Sequence, residues 1–368
     1  MKLRKKKLLA VLLVLVLTVS ILSGCTNTTN SDKNSETNTT SEPKSNAPIQ
    51  ITDTADRSVE ITGEVNKIIA LNSSCYTMIK ALGQEDKIFG VTDSVIDAVP
   101  SAREQNLKTY GAYDNPNIEE IIADKPDLVI GYTYTDANII TKLEEADIKV
   151  ALLEFYIPSL VVEETTKLGK ILRAEDKATE VTNYINTCTN TIEEKLKGIN
   201  DSDKKTVYWE GYSDYNTVSK GSGGDEIIEF AHGINIAGNE EAKYPKVSDE
   251  WVLEKNPDVI VKLVSSSSGI MGEGFTDETP IKELYQSMIS RSGWSDLAAV
   301  KDDKLILLSS NIGTTADGYF IGALYMAKLM YPEELKDVDP YEMYAGFQEK
   351  FLSTDVDGII AYIDNKVN

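Results

Sequence analysis

The chain repeats one stretch of itself at long range. Residues 119–130 read EEIIADKPDLVI, and residues 250–261 read EWVLEKNPDVIV. Each runs from a glutamate through a short apolar helical stretch to Pro-Asp, then into three β-favouring apolar residues. Glu119 and Glu250 lie 131 positions apart, as do Pro126 and Pro257, and Asp127 and Asp258. Solenoid units repeat every ~20–50 residues, so this period is too long for one. It is the spacing of two similar α/β lobes in one chain, and two lobes enclose a cleft. Capture of a ligand between them is the first functional expectation.

The two ends of the chain differ in character. MKLRKKK carries five positive charges, and the apolar run LLAVLLVLVLTVSIL follows, ending at Leu22-Ser23-Gly24-Cys25. A basic head, a short apolar core and small residues before a cut predict a signal peptide over residues 1–24. The Leu-Ser-Gly-Cys ending resembles the bacterial lipoprotein signal, which implies lipidation of Cys25 and a place on the extracytoplasmic face of the cytoplasmic membrane. An ordinary signal with an incidental cysteine, or an uncleaved anchor, are the alternatives. Residues 25–48 are almost entirely Ser, Thr, Asn, Lys and acid. Such a composition buries no apolar surface and predicts a disordered tether, with a root-mean-square reach of about 25 Å.

Charge excludes one class of partner. Without the five basic residues of the head, 32 basic face 59 acidic residues, a net charge of −27. A surface this acidic repels phosphate backbones, so no nucleic acid is expected. Beyond Cys25 the cysteines are Cys75 and Cys188, in no metal-ligand spacing. Cys188 falls on a helical apolar stripe and reads as a small core residue, while a disulfide between the two stays open.

Strand and helix alternate through the rest. Strands are expected at Lys67–Leu71, Ile88–Val91, Asp127–Gly131 and Lys149–Leu153, with helices at Cys75–Leu82, Ile118–Ala123 and Ile139–Glu145. A helical stretch without strands covers 159–199, and its stripe of Ala178, Val181, Ile185, Cys188, Ile192 and Leu196 predicts one long helix from Glu175 to Ile199. The pattern then restarts. Strands are expected at Lys205–Trp209, Asp258–Val264 and Lys304–Leu308, and helices at Asp225–Ala231, Glu250–Glu254, Phe320–Met330, Tyr341–Leu352 and Val356–Asn365. Continuous apolar strands between helices predict two Rossmann-like α/β lobes with parallel central sheets, joined by one long rigid helix. The boundaries are an N-terminal lobe over 49–172, a connecting helix over 173–200 and a C-terminal lobe over 201–368.

Catalytic chemistry finds little support. The chain has one histidine, His232, set in AHGINIAG without a carboxylate or serine partner in sequence, as a turn or helix-end residue would be. There is no Gly-x-Ser-x-Gly elbow, and Gly221-Ser-Gly-Gly224 lacks the lysine of a phosphate loop. One histidine excludes a histidine-built transition-metal site. No enzyme activity, cofactor or resident metal is expected. Aromatic residues are more informative, because ligands of α/β sheets bind beyond the carboxyl ends of the strands. Tyr132 and Tyr134 follow one strand, Phe155 and Tyr156 another, and Trp209, Tyr212 and Tyr215 a third. Tyr110 and Tyr113 precede the first repeated helix. The set predicts a cleft for a bulky, partly apolar ligand.

Taken in order, these stretches resemble a known family, the class III substrate-binding proteins of ABC importers, which carry ferric siderophores, haem and cobalamin. The resemblance rests on ITDTADRSVEITGEVNKIIAL, PNIEEIIADKPDLVIGY, VSDEWVLEKNPDVIV, GWSDLAAVKDDKLILL and YMAKLMYPEELKDVDP. It implies a monomeric capture component that delivers a small-molecule metal chelate to an ABC permease and its ATPase. It assigns Glu119 and Glu250 to docking on permease arginines, a task suited to two separated carboxylates. By place in the pattern it implies a ligand site of Asn72, Ser73, Ser74, Tyr113, Tyr132, Tyr134, Trp209, Tyr212, Asn311 and Tyr319. Relatives often carry arginine in the loop matching Ser309–Tyr319, and this chain has none there. Strongly anionic chelates are therefore disfavoured, and haem is a poor fit to His232. A ferric siderophore of hydroxamate type is expected, with a corrinoid as the alternative. A haem carrier or a chelatase-like enzyme on a related fold fits less well.

Overall fold

The computed structural model describes residues 47–364 and the backbone of Lys366–Val367. The signal segment, Cys25 and the tether lie outside the described residues. Two central sheets organise the rest. The first places its strands in the order Lys108–Thr109, Ile88–Val91, Ile68–Ala70, Leu128–Gly131 and Lys149–Leu152, every neighbouring pair parallel. The second runs Gly233–Asn235, Lys205–Glu210, Val259–Val264, Leu305–Ser309, Ala361–Ile363 and Lys366–Val367. Its first four strands are parallel and its last two antiparallel. This is the mixed α/β architecture the alternation predicts.

The repeated stretch is one helix–strand device used twice. Asn117 and Ser248 cap the helices Ile118–Asp124 and Asp249–Lys255 through their side chains. Lys125 and Asn256 end those helices in left-handed conformation, at φ 50° and 44°. The proline that follows cannot extend the helix. The aspartate then ties the coming strand to its neighbour. Asp127 Oδ2 accepts from the amides of Asn66 and Lys67, at 2.8 and 2.9 Å, and Asp258 Oδ2 accepts from the amide and hydroxyl of Thr206, both at 2.8 Å. Each Pro-Asp thus sets the register at the start of a central strand.

Between the sheets the chain makes two helices, Val161–Leu172 and Glu175–Leu196, broken where Arg173 turns left-handed at φ 53°. The longer helix buries the expected stripe, Cys188 included. One apolar cluster is continuous across both halves, from Ile68 and Leu128 through Val181 and Ile185 to Trp209, Phe320 and Tyr344. Polar links join the halves as well: the Ser159 amide donates to Glu226 at 2.8 Å, and the Tyr184 hydroxyl to the Met343 carbonyl at 2.8 Å.

One expected helix does not form. The stretch expected as a closing helix, Val356–Asn365, forms no helix in its described residues 356–364. Gly358–Ile359 pairs antiparallel with Gly272–Glu273, and Ala361–Ile363 joins the edge strand Leu305–Ser309. The edge offers unpaired backbone groups, and the β-branched and aromatic residues of GIIAYI complete it. Gly358 stands at φ 131°, which excludes a helix, and a Cβ there would collide with the Gly272 carbonyl. The two described cysteines are free and buried, so no disulfide links Cys75 and Cys188. His232 is a helix-end residue as expected, at φ 60° just beyond the helix Gly223–Phe230. Among the described residues no helix is long and apolar enough to cross a membrane.

Candidate functional site

Both sheets reverse strand order next to a central strand: the first between Ile68–Ala70 and Leu128–Gly131, the second between Lys205–Glu210 and Val259–Val264. Loops leaving the carboxyl ends at such a switch diverge and leave a crevice. Here the crevices of both sheets open into one cleft. A cavity of about 770 Å³ is walled by Ser73 and Ser74, by Tyr132, Tyr134 and Tyr156, and by Trp209, Tyr212 and Tyr319. A second cavity of about 570 Å³ adjoins it and shares Ser73, Tyr113, Tyr134, Tyr212, Thr314 and Thr315 with the first.

The ten residues assigned to the ligand by resemblance fall as follows. Ser73, Ser74, Tyr113, Tyr132, Tyr134, Trp209, Tyr212 and Tyr319 line the larger cavity. Asn311 lines the second cavity, and Asn72 a side pocket beneath Tyr113 and Tyr132. Asn72 spends its carbonyl capping the helix Ser73–Ala81 through the Cys75 amide, at 2.9 Å, which leaves its buried Nδ2 without a partner. Trp209 is a core residue that shows one face to the cavity, only 1% exposed. Gly224 lets the neighbouring helix lie against it, since a Cβ there would stand 3.2 Å from the indole.

Two aromatic expectations are corrected. Tyr110 is buried in the first lobe, its hydroxyl donating to Asp124 at 2.7 Å, because it packs between a sheet edge and the repeated helix. Tyr215 stacks on Arg291 behind the cleft wall, with the guanidinium 4.7 Å from its ring centre. Arg291 itself cannot face a ligand. It grips Glu210, a carboxylate with no exposed surface, by two bonds of 2.8 and 3.0 Å.

The tyrosines form a connected cluster. Tyr132, Tyr134 and Tyr156 stand 5.0–6.0 Å apart by ring centres, and Tyr113 joins Tyr134 edge-on at 6.4 Å. Burial pushes the Tyr132 and Tyr319 hydroxyls well above the ordinary phenol value, so both stay protonated and can donate. Behind the cluster lies Glu154, 3% exposed, whose Oε1 accepts from the amide and hydroxyl of Thr133. Its buried Oε2 has no partner.

Sequence spacing does not reveal the charged residues of the cleft. Lys243 and Tyr244 reach the larger cavity from an irregular loop, with Lys243 Nζ 5.8 Å from the Tyr156 ring centre. Lys243 is the cation that the arginine-poor strand ends gave no reason to expect. Glu273, Asp317 and Lys80 line the second cavity, and Lys80 pairs with Glu85 at 3.3 Å. Burial raises the carboxyls of Asp317 and Glu273, and the charge of Asp317 raises Glu273 further. No group of three or more His, Cys, Asp or Glu among the described residues could hold a metal ion. Glu119 and Glu250 are exposed in the first turns of the two repeated helices, and neither joins an ion pair among the described residues.

A two-lobed α/β chain with a shared cleft at its strand ends is the architecture of a periplasmic-type ligand-binding protein. The sequence model of the periplasmic binding protein family matches residues 68–312, and the chain belongs to that family. It is 27% identical over 339 residues to the uncharacterized ABC transporter substrate-binding lipoprotein YvrC of Bacillus subtilis, covering 90% of this chain and all of the relative. It is 25% identical to the molybdate-binding protein MolA of Haemophilus influenzae, covering 83% of this chain and 91% of the relative. A cobalamin-binding protein of Halobacterium salinarum is 26% identical over 60% of this chain and 59% of its own. Among solved structures, the TroA-like protein FepB of Veillonella parvula superposes with a TM-score of 0.71, covering 86% of this chain and 99% of that one. Molybdate-bound MolA gives 0.70, covering 84% and 99%. At 23% and 21% identity these two likenesses speak for the fold. The chain is the substrate-binding component of an ABC importer, and its relatives are binding proteins rather than enzymes.

Proposed function

We propose that the protein captures a ferric siderophore of hydroxamate type in the inter-lobe cleft and presents it to the permease while tethered to the membrane through Cys25. The observation that carries the reading is the larger cavity, about 770 Å³, walled by tyrosines and by no arginine. That volume suits a drug-sized chelate and far exceeds a tetrahedral oxoanion. Protonated phenols and the hydroxyls of Ser73, Thr314 and Thr315 are donors that suit the carbonyl and hydroxamate oxygens of such a chelate. Without a guanidinium fork, a polyanionic citrate or catecholate complex would lack its best partner. Glu119 and Glu250 are the proposed contacts to permease arginines, one on each repeated helix.

A corrinoid is the second reading, favoured by the cobalamin-binding relative and by the broad aromatic wall. Calorimetric titration of the full-length protein with ferrioxamine E, cyanocobalamin and molybdate separates the cases. One-to-one binding of the ferric hydroxamate is the expected result. Binding of the corrinoid alone would transfer the reading to cobamide uptake, and binding of molybdate alone would overturn both.

A further inference from the structure

The tyrosine cluster has the chemistry of a cation cage, and we infer that it selects a ligand bearing an alkylammonium group, held against Tyr134 and Tyr156 and backed by Glu154. The inference rests on the hydroxamate reading and narrows it to chelates with a cationic tail. Ring faces carry negative potential and attract an ammonium laid over them. Tyr113, Tyr132, Tyr134 and Tyr156 pack edge-on or tilted against one another at centre-to-centre distances of 5.0–6.4 Å, so they form one continuous aromatic wall over which a ligand ammonium can lie. Tyr113 and Tyr134 are about half exposed, at 47% and 54%, so part of the cluster's surface is open to the cleft.

Glu154 supplies the counter-charge. It is nine-tenths buried, and its Oε2 lacks any hydrogen-bond partner. It accepts from Thr133, which lies between Tyr132 and Tyr134, and it stands two residues before Tyr156 in the chain, so it sits behind the cluster. Among the described residues no lysine or arginine pairs with it. A buried carboxylate without a cation is costly, and a positive ligand group close by would relieve that cost. The structure already holds an ammonium near this position: Lys243 Nζ lies 5.8 Å from the Tyr156 centre and 5.9 Å from that of Tyr244. Lys243 is exposed on a flexible stem, so a ligand cation can displace it. The remaining charged residues of the cleft agree in sign. Asp97, Glu273 and Asp317 line the second cavity, where Lys80 is already occupied by Glu85. Asp317 and Glu273 are the weaker place for the tail, because their carboxylates already accept hydrogen bonds from Thr77, Gln348 and Tyr344.

Three ferric hydroxamates of closely related chelating chemistry test the assignment on the full-length protein by calorimetry. Ferrioxamine B carries a terminal ammonium, its N-acetyl derivative has that charge removed, and macrocyclic ferrioxamine E has no tail. The wild type should prefer ferrioxamine B to the acetylated form by about tenfold, within the range of a desolvated cation–π contact. Tyr134→Phe keeps the ring face and should keep the preference. Tyr134→Leu and Glu154→Gln should each cut it to about threefold or less, whatever they do to ferrioxamine E, with circular dichroism reporting that each variant is folded. Tyr134 is half exposed, so its replacement tests the cage even where the buried Glu154 variant fails to fold. Equal binding of the two linear chelates by the wild type would overturn the cage and leave the hydroxamate reading standing. A preference that survives Tyr134→Leu and disappears in Asp317→Asn would overturn it by placing the tail at the other end. Failure of all three chelates to bind would overturn the hydroxamate reading and the cage with it.

Discussion

Replacing Arg291 with Met should destabilise the second lobe by about 3 kcal/mol. The figure follows from what Arg291 leaves behind. Glu210 has no exposed surface and accepts from Arg291 at 2.8 and 3.0 Å, from Lys262 at 2.9 Å, from the Tyr208 hydroxyl at 3.2 Å and from the Tyr215 amide at 3.1 Å. Hydrogen bonds to a charged group contribute about 1.5–3 kcal/mol each. Removing one partner of a buried ion pair costs about 3–5 kcal/mol. Lys262 stays in place, so the lower end applies. Asp214, which also pairs with Arg291 at 2.9 Å, is 65% exposed, and water replaces its lost partner at little cost. The methionine keeps much of the apolar packing between Tyr215 and Trp294, which isolates the electrostatic part. Urea unfolding at pH 7 is the assay. With a slope of about 3 kcal/mol per molar, the midpoint should fall by about 1 M. The Glu210→Gln variant should also be destabilised, and the double variant should lose clearly less than the two single losses together, because no carboxylate is left facing the missing guanidinium and Lys262 keeps Asp214. A midpoint shift under about 0.3 M, or additive losses in the double variant, would refute this account of the network.

Two further outcomes are expected, the first from the docking role proposed for Glu119 and Glu250 and the second from the burial of Cys75. Glu119→Ala combined with Glu250→Ala should leave chelate affinity unchanged and reduce uptake in cells by about tenfold or more, as expected when two charged contacts are lost. Undiminished uptake by that variant would remove both residues from the permease interface. Burial pushes the Cys75 thiol far above its ordinary value, and Glu154 and Glu164 add to the shift. Cys75 should therefore resist iodoacetamide at pH 8.5, where an ordinary exposed thiol is about half ionised, and react once urea unfolds the protein. Rapid alkylation of the native protein at Cys75 would show that the helix start at Asn72 opens readily.

Much of this molecule is written locally in its sequence. The 131-residue repeat carries its own caps, left-handed stops and Pro-Asp ties, so each helix–strand unit is specified by neighbours in the chain. Apolar periodicity likewise specified the long helix Glu175–Leu196, and the strand ends pointed to Tyr132, Tyr134 and Trp209. What the chain could not state locally depends on partners far away. Val356–Asn365 alternates little and reads as helix until the open edge of Leu305–Ser309 claims Ala361–Ile363 as a strand. Tyr110 and Tyr132 look alike in sequence, yet one meets Asp124 and the other meets the cleft, because a side chain's neighbours across a sheet are set by tertiary packing.

The charges of the cleft show the division most plainly. Composition alone established an acidic chain with few arginines. Where the charges around the cleft lie was decided only when two lobes came together: Glu154 buried behind the tyrosines, Asp317 and Glu273 across from Thr77, and the cation Lys243 on an irregular loop. Solvated charges carry no sequence period, so their placement is fixed by the loops that carry them and by the desolvation imposed as the lobes close around the cavity.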